Sequence, residues 1–249
     1  MKLNESKCHF MSCGCTEFLY AKVGDELIWE SSSEKLLGIT VDKQLNFNAH
    51  LSNICKKASS KVTALARLVR LLPFHKRRLM LKTFIESQFS YCPLIWMFCS
   101  KKMNNKINHI HERALRLVYM DYTTSFAELL KKDNSLSFHH RNIHCLATEM
   151  FKVKNNLCPT FIQELFSFNE KTNKFLRPNV RTEKMGKGSI RSFGPIVWNT
   201  MLPENIKESP NLSIFKDRIK NWIPTTCKCR LCKDHNNNCT CLFCKEDSV

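Results

Sequence analysis

The residues best placed for chemistry lie close to the C-terminal end of the chain. Cys227-Lys-Cys229-Arg-Leu-Cys232 and Cys239-Thr-Cys241-Leu-Phe-Cys244 repeat one C-x-C-x-x-C pattern, with His235 between the copies. Thiols and an imidazole this close in sequence can converge on one ion without a large fold, and thiolate softness favours zinc. The spacing matches neither a nucleocapsid-type knuckle nor a binuclear six-cysteine module, so the choice of ligands among these seven stays open. A metal-free, reducible tail is the other reading of the same residues. Cys8, Cys13 and Cys15 form a second thiol group, but without a fourth close ligand they read as small residues of a sheet and its turn. His139, His140 and His144 include a pair one helical turn apart. They lack the Glu of a zincin motif and read as polar-face histidines.

A second kind of chemistry is electrostatic. The chain has 39 Lys and Arg against 22 Asp and Glu, a net charge of +17. Between residues 56 and 122, fourteen basic residues stand against Glu86, Glu112 and Asp121, so this stretch alone carries +11. Lys and Arg in such excess release counterions from a phosphate polymer, which makes nucleic acid the leading partner and an anionic membrane surface the second. On a helical wheel Lys56, Arg67 and Arg70 fall opposite an apolar stripe of Ile54, Ala58, Val62, Leu65, Leu68 and Leu72, with Lys57 on its flank and Lys61 near its edge. Lys76, Arg77 and Arg78 are consecutive, so a helix spreads them and at most two face one ligand. Tyr91 to Phe98 is the most apolar and aromatic segment. Beside a basic face it could stack on bases, but aromatics at this density read first as core.

These residues must be positioned by a fold that is predicted to be α+β and mainly α. Short strands over Lys7–Ser12, Phe18–Val23, Glu26–Trp29 and Lys35–Val41, broken by Gly14, Gly24-Asp25 and Ser31–Ser33, make a small N-terminal antiparallel β element. A multi-helix bundle follows: a long helix from Asn48 to Leu72 with Ser52 or Asn53 as cap, a second over Phe74–Phe89 with Pro73 at its start, and a third over Asn105–Tyr119. Ser125 and Glu128 form a capping box. The segment His139–Asn155 presents Ile143, Leu146, Ala147, Met150 and Phe151 on one face. Residues 167–188 have few apolar anchors and read as a linker. Ser189–Pro203 regains apolar anchors, and Asn211 caps a helix with Leu212, Phe215, Ile219 and Trp222 inward. The predicted divisions are therefore 1–52, 53–122, 123–226 and a Cys-rich tail, 227–249.

Composition also excludes. The longest apolar run, Cys92–Cys99, contains a proline and is far shorter than the roughly 20 residues of a spanning helix, so no membrane segment is predicted, and of the two partners the charge allows the prediction is nucleic acid and not membrane. The first residues lack the apolar core of a secretory signal. The expected location is nuclear or cytoplasmic, not secreted, with reduced or metal-bound thiols.

Several segments, read in order, resemble one family. KLLGITVDKQLNFNAHLSNICKKASSKV, FIESQFSYCPLIWMFCS, NNKINHIHERALRLVY, SIRSFGPIVWNTMLP and FKDRIKNWIPTTCKCRLCK resemble the C-terminal portion of reverse transcriptases from jockey-like animal non-LTR retrotransposons. The resemblance runs from about Leu3 to Lys233. It implies that residues 3–11 correspond to the end of a palm, with Lys7 near a lysine suspected of assisting the pyrophosphate leaving group. It further implies that Lys35–Leu45, centred on Leu37-Gly38-Ile39, is the strand turn that grips the primer end, and that Lys56–Tyr122 is a thumb-like helical bundle. The implied partners are RNA and DNA as a primer–template, together with an upstream fingers–palm polypeptide. The implied contact residues are Leu37, Gly38, Lys56, Lys57, Arg67, Arg70, Lys76, Arg77, Lys106 and Arg113. The second Cys triplet departs from the family's tail pattern.

Nucleotidyl transfer in that family needs an aromatic-x-Asp-Asp turn holding two divalent metals. No two aspartates are adjacent here; Asp25, Asp42, Asp121, Asp133, Asp217, Asp234 and Asp247 all stand singly. Magnesium is accordingly implied only for a full-length parent enzyme, and this chain by itself is predicted to be inactive. Two rival readings differ in class: a zinc-stabilised structural or interaction module with no nucleic-acid role, and an enzyme whose carboxylates come from another chain.

Overall fold

The computed structural model describes residues 4, 7–13, 19–182 and 186–224, and the architecture is α+β and mainly α. The chain divides into two units, Met1–Lys57 and Ala58–Val249, with the boundary inside the first helix.

In the first unit, β1 (Tyr20–Val23) and β2 (Glu26–Trp29) pair antiparallel around the two-residue turn Gly24-Asp25, where Gly24 supplies the left-handed φ of 62°. The segment predicted as one strand over Lys35–Val41 is instead a second hairpin, β3 (Ser33–Leu36) and β4 (Ile39–Asp42). The chain reverses at Leu37-Gly38, both left-handed at φ 49° and 85°. Two successive positive φ values are the signature of a type I′ turn, whose twist matches that of paired strands. Leucine is uncommon in that position, so local turn signals miss the reversal, although the family resemblance centres a strand turn on Leu37-Gly38-Ile39. A Cβ at Gly38 would meet nothing within 4 Å, so its requirement is purely conformational. Gly38→Ala is expected to weaken this hairpin by about 1 kcal/mol, seen as faster amide exchange across Ser33–Asp42.

The predicted strand Lys7–Ser12 reduces to one parallel bridge, Phe10 to Glu30. The buried Glu30 carboxylate organises this region. It accepts from the Ser12 N–H at 3.0 Å, the Leu19 N–H at 3.3 Å and the Ser12 hydroxyl, and pairs with Lys43 Nζ at 2.7 Å. The Lys43 ammonium and the Ser12 hydroxyl hold its carboxyl down to about 2.

The long helix α1 runs from Asn48 to Leu68. Its approach is held by Asp42, whose carboxylate accepts from the backbone of Gln44, Asn46 and Phe47. Ser52 and Asn53, predicted as caps, therefore lie inside the helix. It also stops four residues short of the predicted Leu72: Val69–Leu72 form a turn ahead of Pro73, where the residue before proline disfavours helical backbone.

The second unit continues with α2 (Phe74–Met80), a π-helical segment (Leu81–Glu86) and α3 (Ser87–Ser90), where one regular helix was predicted. The widened turn coincides with Thr83 and Ser87 hydroxyls bonded to the Leu79 and Thr83 carbonyls at 2.9 and 2.6 Å, a back-bonding pattern that bends helices. In α4 (Pro93–Trp96), Pro93 opens the helix. Trp96 and Met97 are buried and Leu94 and Phe98 pack on the core, so most of the aromatic segment is interior; Tyr91 remains half-exposed. Ser100 accepts from the Met103 N–H and starts α5 (Lys101–Tyr119) four residues before its predicted beginning.

Ser125 and Glu128 form the capping box of α6 (Phe126–Asp133). Next, α7 (Phe138–Lys154) carries Ile143, Leu146, Ala147, Met150 and Phe151 into the main core. After α8 (Thr160–Gln163), the stretch predicted as a linker begins with a hairpin, β5 (Phe168–Asn169) and β6 (Lys174–Phe175). Phe175 is buried edge-on to Trp198 at 5.7 Å, and its backbone N–H and C=O both bond the Asn199 amide, so this half of the stretch is anchored. The core is closed by α9 (Ile190–Ile196), a π segment (Val197–Met201), α10 (Glu204–Lys207) and α11 (Leu212–Lys220), the last capped by Asn211. Phe215 stacks on Phe151 at 4.4 Å; fully burying each such ring contributes about 1.5–3 kcal/mol. Among the described residues, no helix is long and apolar enough to cross a membrane.

Candidate nucleic-acid interface

The basic stretch separates into cations consumed by the fold and cations left at the surface. Arg78 bonds the Asp133 carboxylate through Nε at 2.8 Å and the Asp133 carbonyl through Nη2 at 2.9 Å, while the Tyr119 hydroxyl donates to the same carboxylate at 2.9 Å. Burial, helped by Asp133, pushes the Tyr119 phenol up to about 12. Arg116 closes on Glu112 at 2.7 Å one turn back. Arg141 on α7 grips Glu86 with two bonds of 2.7 and 2.9 Å, and His111 Nε2 lies 3.3 Å from the same carboxylate. Burial pushes the Glu86 carboxyl up, but His111 and Arg141 outweigh it and hold it well below the usual range. These arginines hold helices together.

The remaining cations have no carboxylate partner among the described residues: Lys56 and Lys57 in the first unit, and Arg67, Arg70, Lys76, Lys82, Lys102, Lys106 and Arg113 in the second, all exposed. Arg67 sits in the last turn of α1. Arg70, predicted to share that helix, lies in the turn beyond it. Of the consecutive trio, Lys76 is exposed and Arg78 is taken by Asp133. Arg77 is half-buried, its Nε and Nη1 shielded from solvent without a hydrogen-bond partner, so it is not an open surface cation. Leu37 and Gly38 stand at the β3–β4 turn of the first unit, with Leu37 82% exposed.

The most regular group is on α5. Lys102, Lys106, His109 and Arg113 follow one another at alternating steps of four and three residues, which places them within roughly 60° of arc and along about 16 Å of helix. The buried Ile107, Ala114 and Val118 lie on the packed side of the helix, while Ile110 and Leu117 are buried along the edge of the row. One face packs and the other presents a row of cations. Lys106 and Arg113 were named from the sequence; Lys102 and His109 were missed, although the same spacing rule would have found them. Along about 16 Å of duplex lie roughly nine phosphate charges, enough to face every cation of the row.

The predicted metal ligands Cys227, Cys229, Cys232, His235, Cys239, Cys241 and Cys244 all lie outside the described residues, as does Cys15. Lys7 is described and exposed. His139 is buried, and His144 is stacked on Trp222 at 5.5 Å with Nε2 at 2.7 Å from its carbonyl, so these two histidines are packing residues rather than a polar face.

His50, His111 and His144 are each held below the ordinary histidine value, in every case first by burial. The unfolded chain therefore takes up protons before the folded chain does. Their contribution to stability is fully present above about pH 6.5 and is lost as pH falls below it. Denaturant midpoints are expected to fall between pH 7.5 and pH 5.5, before the carboxylates titrate; an unchanged midpoint would count against neutral buried imidazoles.

Comparison with protein-family models, with curated proteins and with solved structures returns no match.

Proposed function

We propose that this chain is the primer-grip, thumb and tail portion of a reverse transcriptase of the jockey-like non-LTR retrotransposon type, and that its role is to bind a primer–template or RNA. The observation that carries the reading is the row on α5, whose Lys102, Lys106 and Arg113 have no carboxylate partner among the described residues, set against arginines that the same fold neutralises internally. Lys and Arg in that arrangement favour sequence-independent contact with phosphates. The β3–β4 turn at Leu37-Gly38 is consistent with the primer-grip part of the reading, because the resemblance implies a strand turn there. The reading places binding in this chain and nucleotidyl transfer elsewhere, since the sequence has no adjacent aspartates to hold a metal pair. A fingers–palm polypeptide would supply those carboxylates and the magnesium they bind. Zinc in the tail is a separable part of the proposal and rests on thiol spacing alone.

Salt titration of the full chain on a labelled duplex tests the reading. Log K is expected to fall linearly with log salt, with a slope of about −0.9 for each phosphate engaged. A slope near zero, or no binding at moderate salt, would favour the zinc-stabilised interaction module instead.

A further inference from the structure

Within the second unit, α1 and α5 leave a shallow cleft of about 50 Å³ between them, lined by Ser59 and Val62 from one helix and His109, Ile110 and Arg113 from the other. We infer that this cleft is a discrete oxyanion subsite that seats one phosphate group. The inference deepens the nucleic-acid reading and rests on it for the identity of the polymer.

The lining has the chemistry of such a subsite. Val62 and Ile110 are buried aliphatic residues and make an apolar base, where hydrogen bonds act in a lower dielectric than in water. The polar lining residues are a guanidinium, an imidazole and a hydroxyl, all able to donate to oxygen and none an acid. The Ser59 carbonyl accepts from the Thr63 hydroxyl at 3.1 Å, and the Ser59 hydroxyl itself has no partner among the described residues. Arg113 has no carboxylate partner there either. The nearest acid, Glu112, is already neutralised: its Oε1 takes two bonds from Arg116, at 2.7 and 3.3 Å, and its Oε2 stands 4.0 Å from His109 Nδ1.

The volume is compatible with such a ligand. A site needs on the order of 10–15 Å³ for each water it holds, so this cleft has room for about four oxygen positions. That is room enough for the oxygens of a tetrahedral phosphate. The same chemistry would accept a backbone phosphodiester, a terminal phosphate or free inorganic phosphate. Placement on the α5 row makes the cleft a fixed point at which one phosphate sets the register of the others along Lys106 and Lys102.

The test uses the full chain with labelled histidines, titrated with inorganic phosphate and then with a 5′-phosphorylated or unphosphorylated oligonucleotide. His109 resonances are expected to shift saturably with phosphate, with affinity lowered about tenfold by Arg113→Gln, as a lost charge-assisted bond implies, and unchanged by Lys216→Gln. Shifts that do not saturate, or that sodium chloride at equal ionic strength reproduces, would overturn the subsite. Saturation by phosphate without any oligonucleotide binding would keep the subsite as a free-phosphate site and remove the nucleic-acid reading. Oligonucleotide binding that Ser59→Ala and Arg113→Gln leave intact would do the reverse. A preference for the phosphorylated end would assign the subsite to a terminus, and equal binding would assign it to the backbone.

Discussion

Replacing Arg141 with methionine is expected to lower stability by about 3 kcal/mol, the low end of what breaking a buried ion pair costs. Arg141 makes two bonds to the Glu86 carboxylate and a third, through Nε, to the Leu136 carbonyl at 2.9 Å, and lies over the Phe138 ring at 5.1 Å. Methionine keeps some of the ring contact but leaves Glu86, only 8% exposed, facing His111 alone. A loss of that size corresponds to a melting temperature lower by roughly 6–12 °C for a chain of this length. The double variant Arg141→Met with Glu86→Gln is expected to recover much of the loss, because the uncompensated charge is gone. The pH response follows. Glu86 is held below its unfolded value in the native chain, so it stabilises above about pH 4.5 and that contribution is lost as pH falls. Without Arg141, burial raises the carboxyl and this acid-dependent part shrinks. A single-variant loss below about 1 kcal/mol would mean that Glu86 is not the junction between the π segment and α7.

The second large effect concerns binding. Changing Lys102, Lys106 and Arg113 together to glutamine is expected to weaken duplex affinity on the order of a hundredfold at moderate salt and to flatten the salt slope by about three. All three side chains are exposed and none is part of the buried side of α5, so the circular dichroism spectrum and melting temperature are expected to stay close to those of the parent chain. Unchanged affinity in a folded triple variant would place the phosphate contacts elsewhere.

What was legible in the sequence, and what was not, divides along a physical line. Features set by a few neighbouring residues were readable: the Gly24-Asp25 hairpin, the Ser125 capping box, the Asn211 cap, and the two faces of α5. The turn at Leu37-Gly38 was implied by the family resemblance but not by local turn residues, because Leu37 adopts a conformation for which leucine carries no signal. Apolar spacing runs on through Leu71 and Leu72, so α1 looked longer than it is, and Arg70 was placed on a helix it does not occupy. Pairings over long separations left no local trace. Glu86 finds Arg141, and Arg78 finds Asp133, across 55 residues in each case, so nothing local marked Arg78, one of three consecutive cations, as the structural one. Phe175 was passed over because isolated rings in a polar stretch reveal nothing about the Trp198 and Asn199 that receive it. At the candidate site, Ser59 carries no charge and entered no electrostatic argument; only the packing of α1 beside α5 brings it to Arg113.

The central claim is that the α5 row meets phosphate, and lysine acetylation footprinting of the full chain with and without duplex tests it most directly. Lys102 and Lys106 are expected to be protected by duplex, with protection reversed by high salt, while Lys216 and Lys220 on α11 react equally in both states. Protection confined to Lys228, Lys233 and Lys245, or no protection at all, would contradict it.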